Sequence, residues 1–384
     1  MGEFYIAWVV HEAEFNPDSE IRVKVRHTRA HFDICYNGDL LAASPSLLEL
    51  HREDYRRLHS DEEVHRGASC EVWPRLAKPF EQFMTQLVPP PTESTGDLHS
   101  YLYPASFILE ARVDESGNIR PQIREVLSRQ EFWPPGDSIE SAFIKPHLSP
   151  LLDTNPKIYS SRQIQVLTHT SALLPSRVLV DGATYFFKAW SGRETGYYEL
   201  QAYTKIRADD AANSPLLADA RISRLHGLVI DDPNDVLQHF AVDPNGEENH
   251  PPHSRLVGLL LTDIDSDGTL AELGAWSDRT NEDRLRWAQQ IRHAVGRLHA
   301  AGVVWGDAKP ENVLVDMAGD AWLVDFGGSY TRGWVDEDKR ETVDGDLQGL
   351  QRIDKWLAKW SLKPVDRPNH RPKGGRGLAV DGAV

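Results

Sequence analysis

Val303-Val304-Trp305-Gly306-Asp307-Ala308-Lys309-Pro310-Glu311-Asn312-Val313-Leu314 is the stretch that decides how this chain folds. Asp307, Lys309 and Asn312 bring a carboxylate, an ammonium and an amide together within one short polar loop between two apolar ends. Upstream, Asn281 to Ala300 carries apolar residues at 285, 288, 291, 295 and 298, with Trp287 and Ala294 flanking, which is one stripe of an amphipathic helix. Thr280, with Asp283 three residues later, has the form of a capping box at its start, and Gly302 supplies a left-handed stop just past its end. Downstream, Ala321-Trp322-Leu323-Val324 reads as a buried strand that runs into Asp325-Phe326-Gly327, 18 residues after Asp307. Two short strands flanking a turn at Asp316 to Asp320 would bring the loop and Asp325 to one cleft.

An Asp-x-Lys-Pro-Glu-Asn run followed at this distance by Asp-Phe-Gly resembles the catalytic loop and magnesium-binding motif of the protein-kinase superfamily. The compound match is far more specific than Asp-Phe-Gly alone. Phosphoryl transfer asks for fixed cations, fixed phosphates and an acceptor for the hydroxyl proton, with little covalent chemistry from the protein. The resemblance implies ATP and Mg²⁺ as cofactors. It makes Asp307 the base or orienter of the substrate hydroxyl, sets Lys309 on the transferring phosphate, and puts Asn312 and Asp325 on Mg²⁺.

The same resemblance calls for a preceding small lobe. Gln165-Val166-Leu167 and Ser176-Arg177-Val178-Leu179-Val180 read as two strands, and the Asp181-Gly182 turn leads to a third ending at Lys188, the candidate for gripping the α- and β-phosphates. The helix expected over Arg193 to Arg207 buries Leu200, Tyr203 and Ile206. Its Glu199 is the preferred partner of Lys188, because Glu194 in the first turn is explained equally well by the helix dipole. Leu256 to Leu261 suits a central strand, and Thr262-Asp263-Ile264-Asp265 would follow as the hinge, with the backbone of Asp263 and Ile264 meeting the adenine.

The chain departs from the family in four places. Thr168 to Pro175 occupies the phosphate-covering loop without a glycine, leaving Thr168, Thr170 and Ser171 to serve. Trp305-Gly306 replaces the His-Arg before the catalytic Asp, which removes the arginine that reads a phosphorylated activation loop. Gly306 points towards small-molecule kinases, Lys309-Pro310-Glu311-Asn312 back to protein kinases. No Ala-Pro-Glu follows Gly327, and Asp344 to Trp360, with Leu347, Leu350, Ile353 and Leu357, is the one amphipathic helix left to pack under the loop. Finally, some 135 residues precede the kinase-like part. This shortened plan is similar to divergent fungal proteins with a kinase domain.

The expected fold is therefore α+β: a bilobal protein-kinase-like fold, with a small β-rich N-lobe and a shortened helical C-lobe, preceded by an α+β N-terminal domain. The divisions are residues 1–135 for that domain, 136–160 for a linker, 161–265 for the N-lobe with an insertion at 230–254, 266–362 for the C-lobe and 363–384 for a disordered tail. In the first domain Ile21, Val23, Val25 and Phe32, Ile34, Tyr36 alternate as strands before an Asn37-Gly38-Asp39 turn. Ser44-Pro45 opens a helix, and Phe107 to Val113 alternates ahead of a Ser116-Gly117-Asn118 turn. Val88 to Gly96 and Trp133 to Asp137 have linker composition.

A formal charge of −16 works against nucleic acid as a partner, though not against a nucleotide bridged by a cation. No apolar run approaches the roughly 20 residues needed to span a bilayer. Cys35 and Cys70, too few for a disulfide framework, read as reduced packing residues, which fits the cytoplasm or the nucleus. His239, His250 and His253 sit in loop composition without paired metal-ligand spacing, and Trp305 stands where it would line a substrate site. The implied partners are ATP and a protein or small-molecule hydroxyl acceptor. Three functions follow: a phosphotransferase acting on protein Ser/Thr hydroxyls, a small-molecule kinase with the same site, or a nucleotide-poor pseudokinase scaffold.

Overall fold

Ile21, Val23 and Val25 on one strand and Phe32, Ile34 and Tyr36 on the next all point to one buried face, as their alternation demands. They belong to β2 (Glu20–His27) and β3 (Ala30–Asn37), in a sheet completed by β1 (Phe15–Asn16), β4 (Ala105–Val113) and β5 (Ile119–Leu127) in the order β1-β2-β3-β4-β5. The computed structural model describes residues 15–16, 20–27, 30–58, 71–88, 96–127, 136–167, 176–190, 192, 194–231, 254–274 and 279–361. The glycine-free stretch Thr168 to Pro175 lies outside them, as do Cys70, Trp133, Trp276, the insertion beyond Asp231 with its three histidines, and the tail from Lys363.

β3 and β4 run parallel, so the chain must cross over between them, and it does so through α1 (Gly38–Leu41), α2 (Pro45–Leu58) and α3 (Glu81–Leu87). Asn37-Gly38-Asp39 is consequently not a hairpin turn: the Asn37 side chain accepts from the Asp39 amide at 2.8 Å and caps α1. Cys35 is buried in this sheet and its thiol pKa is pushed up to about 12, chiefly by burial. It is an inert packing residue.

A second sheet is built from β6 (Asp137–Ser138), β7 (Lys157–Tyr159), β8 (Gln165–Val166), β9 (Arg177–Val180), β10 (Ala183–Ala189), β11 (Leu225–Asp231) and β12 (Arg255–Thr262). Its order is β7-β11-β12-β10-β9-β8, with β6 paired to the start of β12. β12 is central and buried from Leu256 to Leu261, as a continuous apolar run requires. The helices of this region are α4 (Leu98–Leu102), α5 (Lys145–Leu152) and α6 (Glu194–Asp210).

Residues 136–160, expected as a linker, thus carry two strands and a helix. Ile144, Leu148 and Leu151 at helical spacing are fully or almost fully buried, which is why the stretch orders. Leu98, Tyr101, Leu102 and Tyr103, from the stretch assigned to the N-terminal domain, lie in the core of the second sheet. The buried Asp231 carboxylate is satisfied there by the Tyr103 hydroxyl at 2.9 Å and by the Ser161 hydroxyl and amide, each at 2.8 Å.

The chain divides into two compact units: the described residues up to Ala208 together with Arg224–Asp263, and Asp209–Ser223 together with those from Ile264. The second unit contains β13 (Ser266–Thr269), α7 (Leu270–Gly274), α8 (Asn281–Ala300), β14 (Val313–Asp316), β15 (Ala321–Leu323) and α9 (Val343–Ser361). The Thr280–Asp283 capping box forms, and the Thr280 hydroxyl is the first cause holding the Asp283 carboxyl below its ordinary value. At the other end Gly302 takes φ +71° while its amide bonds His299 O and the Val303 amide bonds Leu298 O, a Schellman stop. Two stripe residues are corrected. Leu285 is 65% exposed and its place on the buried face falls to Arg284, whose guanidinium donates to Arg279 O. Leu347 is 50% exposed, and the buried neighbour on that turn is Asp346.

Candidate active site

In the first unit Lys188 lies near the end of β10 and Glu199 in the second turn of α6, and Lys188 Nζ donates to Glu199 Oε1 at 2.8 Å. Glu199 is buried while the Lys188 side chain stays partly exposed, so the carboxylate is the desolvated partner and α6 must hold it in place. The fixing comes from the stretch that was expected to be a linker. His147 stacks on Tyr197 with centroids 5.0 Å apart and its ring meets Gln201 Nε2 at 2.8 Å, while Arg207 donates to the hydroxyl and the carbonyl of Thr154. Gly196 completes the fit, because a Cβ there would stand 2.8 Å from the Trp190 ring. Trp190 is itself tied to Asp137 by its indole N–H at 2.7 Å.

Asp263 is the last residue of this unit and Ile264 the first of the next. The Asp263 carboxylate accepts from Arg177 Nε at 2.6 Å, so the end of β12 is tied to the start of β9. Sequence reasoning missed Arg177, which no local pattern singles out.

In the second unit the loop after α8 is held from below by one buried carboxylate. Asp346, wholly buried on α9, accepts from the Trp305 amide and the Gly306 amide at 2.8 Å each, and its Oδ2 lies 2.8 Å from His299 Nε2. A Cβ on Gly349 would meet Ala308 at 2.5 Å, so glycine lets α9 approach the loop closely. Gly306 has φ +92°, and a Cβ there would stand 2.7 Å from Gly328 Cα. Glycine at this position therefore has a backbone cause.

Trp305 does not line a surface. It is fully buried, and its indole donates to Val324 O at 3.0 Å, so it is a core residue bridging the loop to the strand that ends at Asp325.

Asp307, Lys309 and Asn312 are brought together by direct bonds. Asp307 Oδ2 accepts from Lys309 Nζ at 2.6 Å, and the Asp307 carbonyl accepts from the Asn312 amide at 2.9 Å. Thr331, one of three hydroxyl residues, with Ser329 and Tyr330, that the sequence sets close after Asp325-Phe326-Gly327, completes the cluster: its hydroxyl lies 3.2 Å from Asp307 Oδ2 and 2.9 Å from Lys309 Nζ. Asp307 Oδ1 is enclosed and makes no hydrogen bond among the described residues.

Asp325 arrives through the hairpin of β14 and β15. Asp316 closes that hairpin by accepting from the amides of Ala318 and Asp320 and from the Trp322 indole. Burial pushes the Asp316 carboxyl up, but these three donors and the charge of Arg221 together outweigh it and leave it below the ordinary carboxylate value. The Val324 amide then bonds Asn312 O at 3.1 Å, so Asp325 is one residue beyond the bond to Asn312. Asp325 has φ +61°, a left-handed conformation unusual for a non-glycine residue, while Phe326 beside it is buried.

The donor chemistry fits Mg²⁺. Asn312 spends an amide N–H on Asp307 and keeps its carbonyl oxygen as an acceptor, and Asp325 adds an exposed carboxylate. Mg²⁺ is held by one or two such hard oxygens, with water and phosphate supplying the rest. No cluster of three His, Cys, Asp or Glu side chains suited to a metal occurs among the described residues, and none of their helices is long and apolar enough to cross a membrane.

No family model matches the chain. It is 43% identical over 162 residues to ribosomal protein S6 kinase alpha-6 of Danio rerio, covering 41% of this chain and 20% of that protein. It is 41% identical over 103 residues to serine/threonine-protein kinase PKH3 of Eremothecium gossypii, covering 24% and 14%. To CBL-interacting serine/threonine-protein kinase 3 of Arabidopsis thaliana it is 36% identical over 81 residues, covering 21% and 16%. The chain thus spans a fifth or less of the length of these relatives. The mixed α+β architecture is compatible with a kinase-like fold, and the likeness to several Ser/Thr protein kinases supports the protein-kinase superfamily for this chain.

Proposed function

We propose that this chain is an ATP- and Mg²⁺-dependent phosphotransferase with a bilobal kinase-like fold and a shortened C-lobe, acting on protein serine or threonine hydroxyls. The observation that carries this is the cluster at the loop after α8, where a threonine hydroxyl already rests within bonding distance of both Asp307 Oδ2 and Lys309 Nζ. A carboxylate and an ammonium that together hold a threonine hydroxyl have the polarity that Ser/Thr phosphorylation needs. Asp307 receives the hydroxyl proton, and Lys309 neutralises charge on the phosphoryl group. Lys188, buttressed by Glu199, takes the α- and β-phosphates, and the backbone of Asp263 and Ile264 takes the adenine. Asn312 and Asp325 hold Mg²⁺, which supplies charge neutralisation at the phosphates when bound.

The small-molecule alternative rested on Gly306 and on the shortened C-lobe; Gly306 is accounted for by its backbone angle and its approach to Gly328, independently of any acceptor, and the shortened C-lobe still favours that alternative. The scaffold alternative rested on Thr168 to Pro175, outside the described residues.

The test is a thermal-shift titration of ATP with and without Mg²⁺ on wild type, Asp325→Ala and Lys188→Ala, followed by labelled-phosphate transfer to protein and metabolite fractions. A ligand bound only by the folded state raises its apparent stability. A Mg²⁺-dependent shift lost in both variants, with label entering protein, is expected. No shift in wild type refutes nucleotide use, and ADP release with metabolites alone refutes the protein acceptor.

A further inference from the structure

We infer that Glu341 is a positioning residue for Mg²⁺: it fastens the segment after Gly327 and so fixes the direction of the Asp325 carboxylate, an inference that rests on the function proposed above. The Glu341 carboxylate accepts from the Ser329 amide and lies against two glycines. A Cβ on Gly306 would stand 3.1 Å from its Oε2, and a Cβ on Gly328 would run into the same carboxylate. Gly306 precedes Asp307 and Gly328 follows Asp325-Phe326-Gly327, so one side chain spans the loop and the segment.

The contact gathers four residues of positive φ: Gly306 at +92°, Gly328 at +65°, Ser329 at +81° and Glu341 at +57°. Non-glycine residues keep such angles where their surroundings over-determine them, and outliers of this kind cluster at functional sites. Glu341 is held in turn by the start of α9. The Thr342 hydroxyl donates to Lys339 O at 2.7 Å and accepts from the Gly345 amide at 3.0 Å. Two carboxylates from one end of α9 thus grip the two sides of the site: Asp346 the backbone before Asp307, Glu341 the backbone after Asp325.

Asp325 is therefore tied on both flanks. Upstream, the Val324 amide bonds Asn312 O at 3.1 Å, and Val324 O accepts from the Trp305 indole at 3.0 Å. Downstream, the Gly327 amide donates to Asp325 Oδ1 at 3.3 Å, and Gly327 is joined directly to the glycine that Glu341 covers. Without the downstream anchor the Asp325 carboxylate keeps its charge and loses its fixed direction. Mg²⁺ demands near-octahedral geometry from its ligands, so it binds a wandering carboxylate less tightly.

The test compares wild type, Glu341→Gly, Gly328→Ala and Glu341→Gln in two measurements: amide hydrogen exchange over residues 327–330 without nucleotide, and the thermal shift given by ATP as Mg²⁺ is titrated. Glycine suits the φ of +57° at residue 341, so Glu341→Gly removes the carboxylate without adding backbone strain. Gly328→Ala keeps the carboxylate but drives it off the segment, and it carries the reading should Glu341→Gly not fold. Both are expected to exchange faster over 327–330 and to need about tenfold more Mg²⁺ for half of the shift, as the loss of one charge-assisted hydrogen bond implies, while saturating Mg²⁺ restores the full shift. Glu341→Gln keeps an oxygen for the Ser329 amide and is expected within about threefold of wild type. Unchanged exchange, or an unchanged Mg²⁺ requirement in a chain that still shifts, overturns this inference and leaves the proposed function standing. A shift that saturating Mg²⁺ does not restore also overturns it, because the damage then reaches beyond the metal. A wild type without any Mg²⁺-dependent shift overturns both.

Discussion

Replacing Asp346 with alanine tests whether a single buried carboxylate holds the loop that carries Asp307. In the wild type this side chain accepts from two backbone amides, Trp305 and Gly306, and faces His299, with each contact at 2.8 Å and no solvent exposure. Each buried donor left without an acceptor costs about 1–3 kcal/mol, so the two amides together put the loss at roughly 4 kcal/mol. Asp346→Asn keeps one acceptor oxygen and turns the other against an N–H, which makes the expected loss about half as large. The assay is urea unfolding followed by tryptophan fluorescence, since Trp287, Trp305, Trp322, Trp334 and Trp356 all lie in the unit that contains Asp346. The change is read at unaltered slope against denaturant, so that it reports stability and not a changed unfolded state. If the alanine variant stays within about 0.5 kcal/mol of wild type, or the asparagine variant is the weaker of the two, the loop does not depend on those bonds.

Trp305→Phe removes the indole donor to Val324 O from a fully buried site and is expected to cost about 1–3 kcal/mol in the same urea experiment; an unchanged midpoint contradicts a core role for Trp305. Asp336 is held below the ordinary carboxylate value by Arg352 first and Gln348 second. Because its folded value is the lower one, its contribution is present above the unfolded carboxyl value of about 3.9 and is lost as the pH falls through the folded value. Melting midpoints of wild type and Asp336→Asn are therefore expected to differ at pH 7 and to converge below about pH 4, and a gap that does not vary with pH refutes the ion pair's role.

Much of the site was legible because its chemistry is local. Asp307, Lys309 and Asn312 are near neighbours in sequence and bond one another directly, and Asp325 follows across a single hairpin, so the motif and the geometry are nearly the same object. The strand pattern of the second sheet was equally readable, since Arg177–Val180 and Ala183–Ala189 meet through the Asp181-Gly182 turn that the sequence announces. What was not legible comes from distance or from polar residues on buried faces. The expected linker at 136–160 carries its own apolar helical spacing at Ile144, Leu148 and Leu151, but the prolines around it masked the signal.

Asp346 shows why the holding residues escape sequence reading even where a trace of them exists. It stands four residues before Leu350, which continues with Ile353 and Leu357 along the buried face, so helical period alone puts it inside. Hydrophobic matching chose Leu347 instead, because an acid on an apolar face counts as a mismatch unless its partners are known. Those partners are backbone amides about forty residues upstream, and their need for an acceptor is created by the very bend, at Gly306 with φ +92°, that lifts them off any helix or strand. Thr331 obeys the same logic from the other side: in sequence its hydroxyl is one of three with Ser329 and Tyr330, and it is set apart only because a turn anchored by Trp334 on Trp356 delivers it to Asp307. The residues proposed to act were written in one short motif. Those that position them became visible once the unsatisfied donors and acceptors of that motif were traced to their partners.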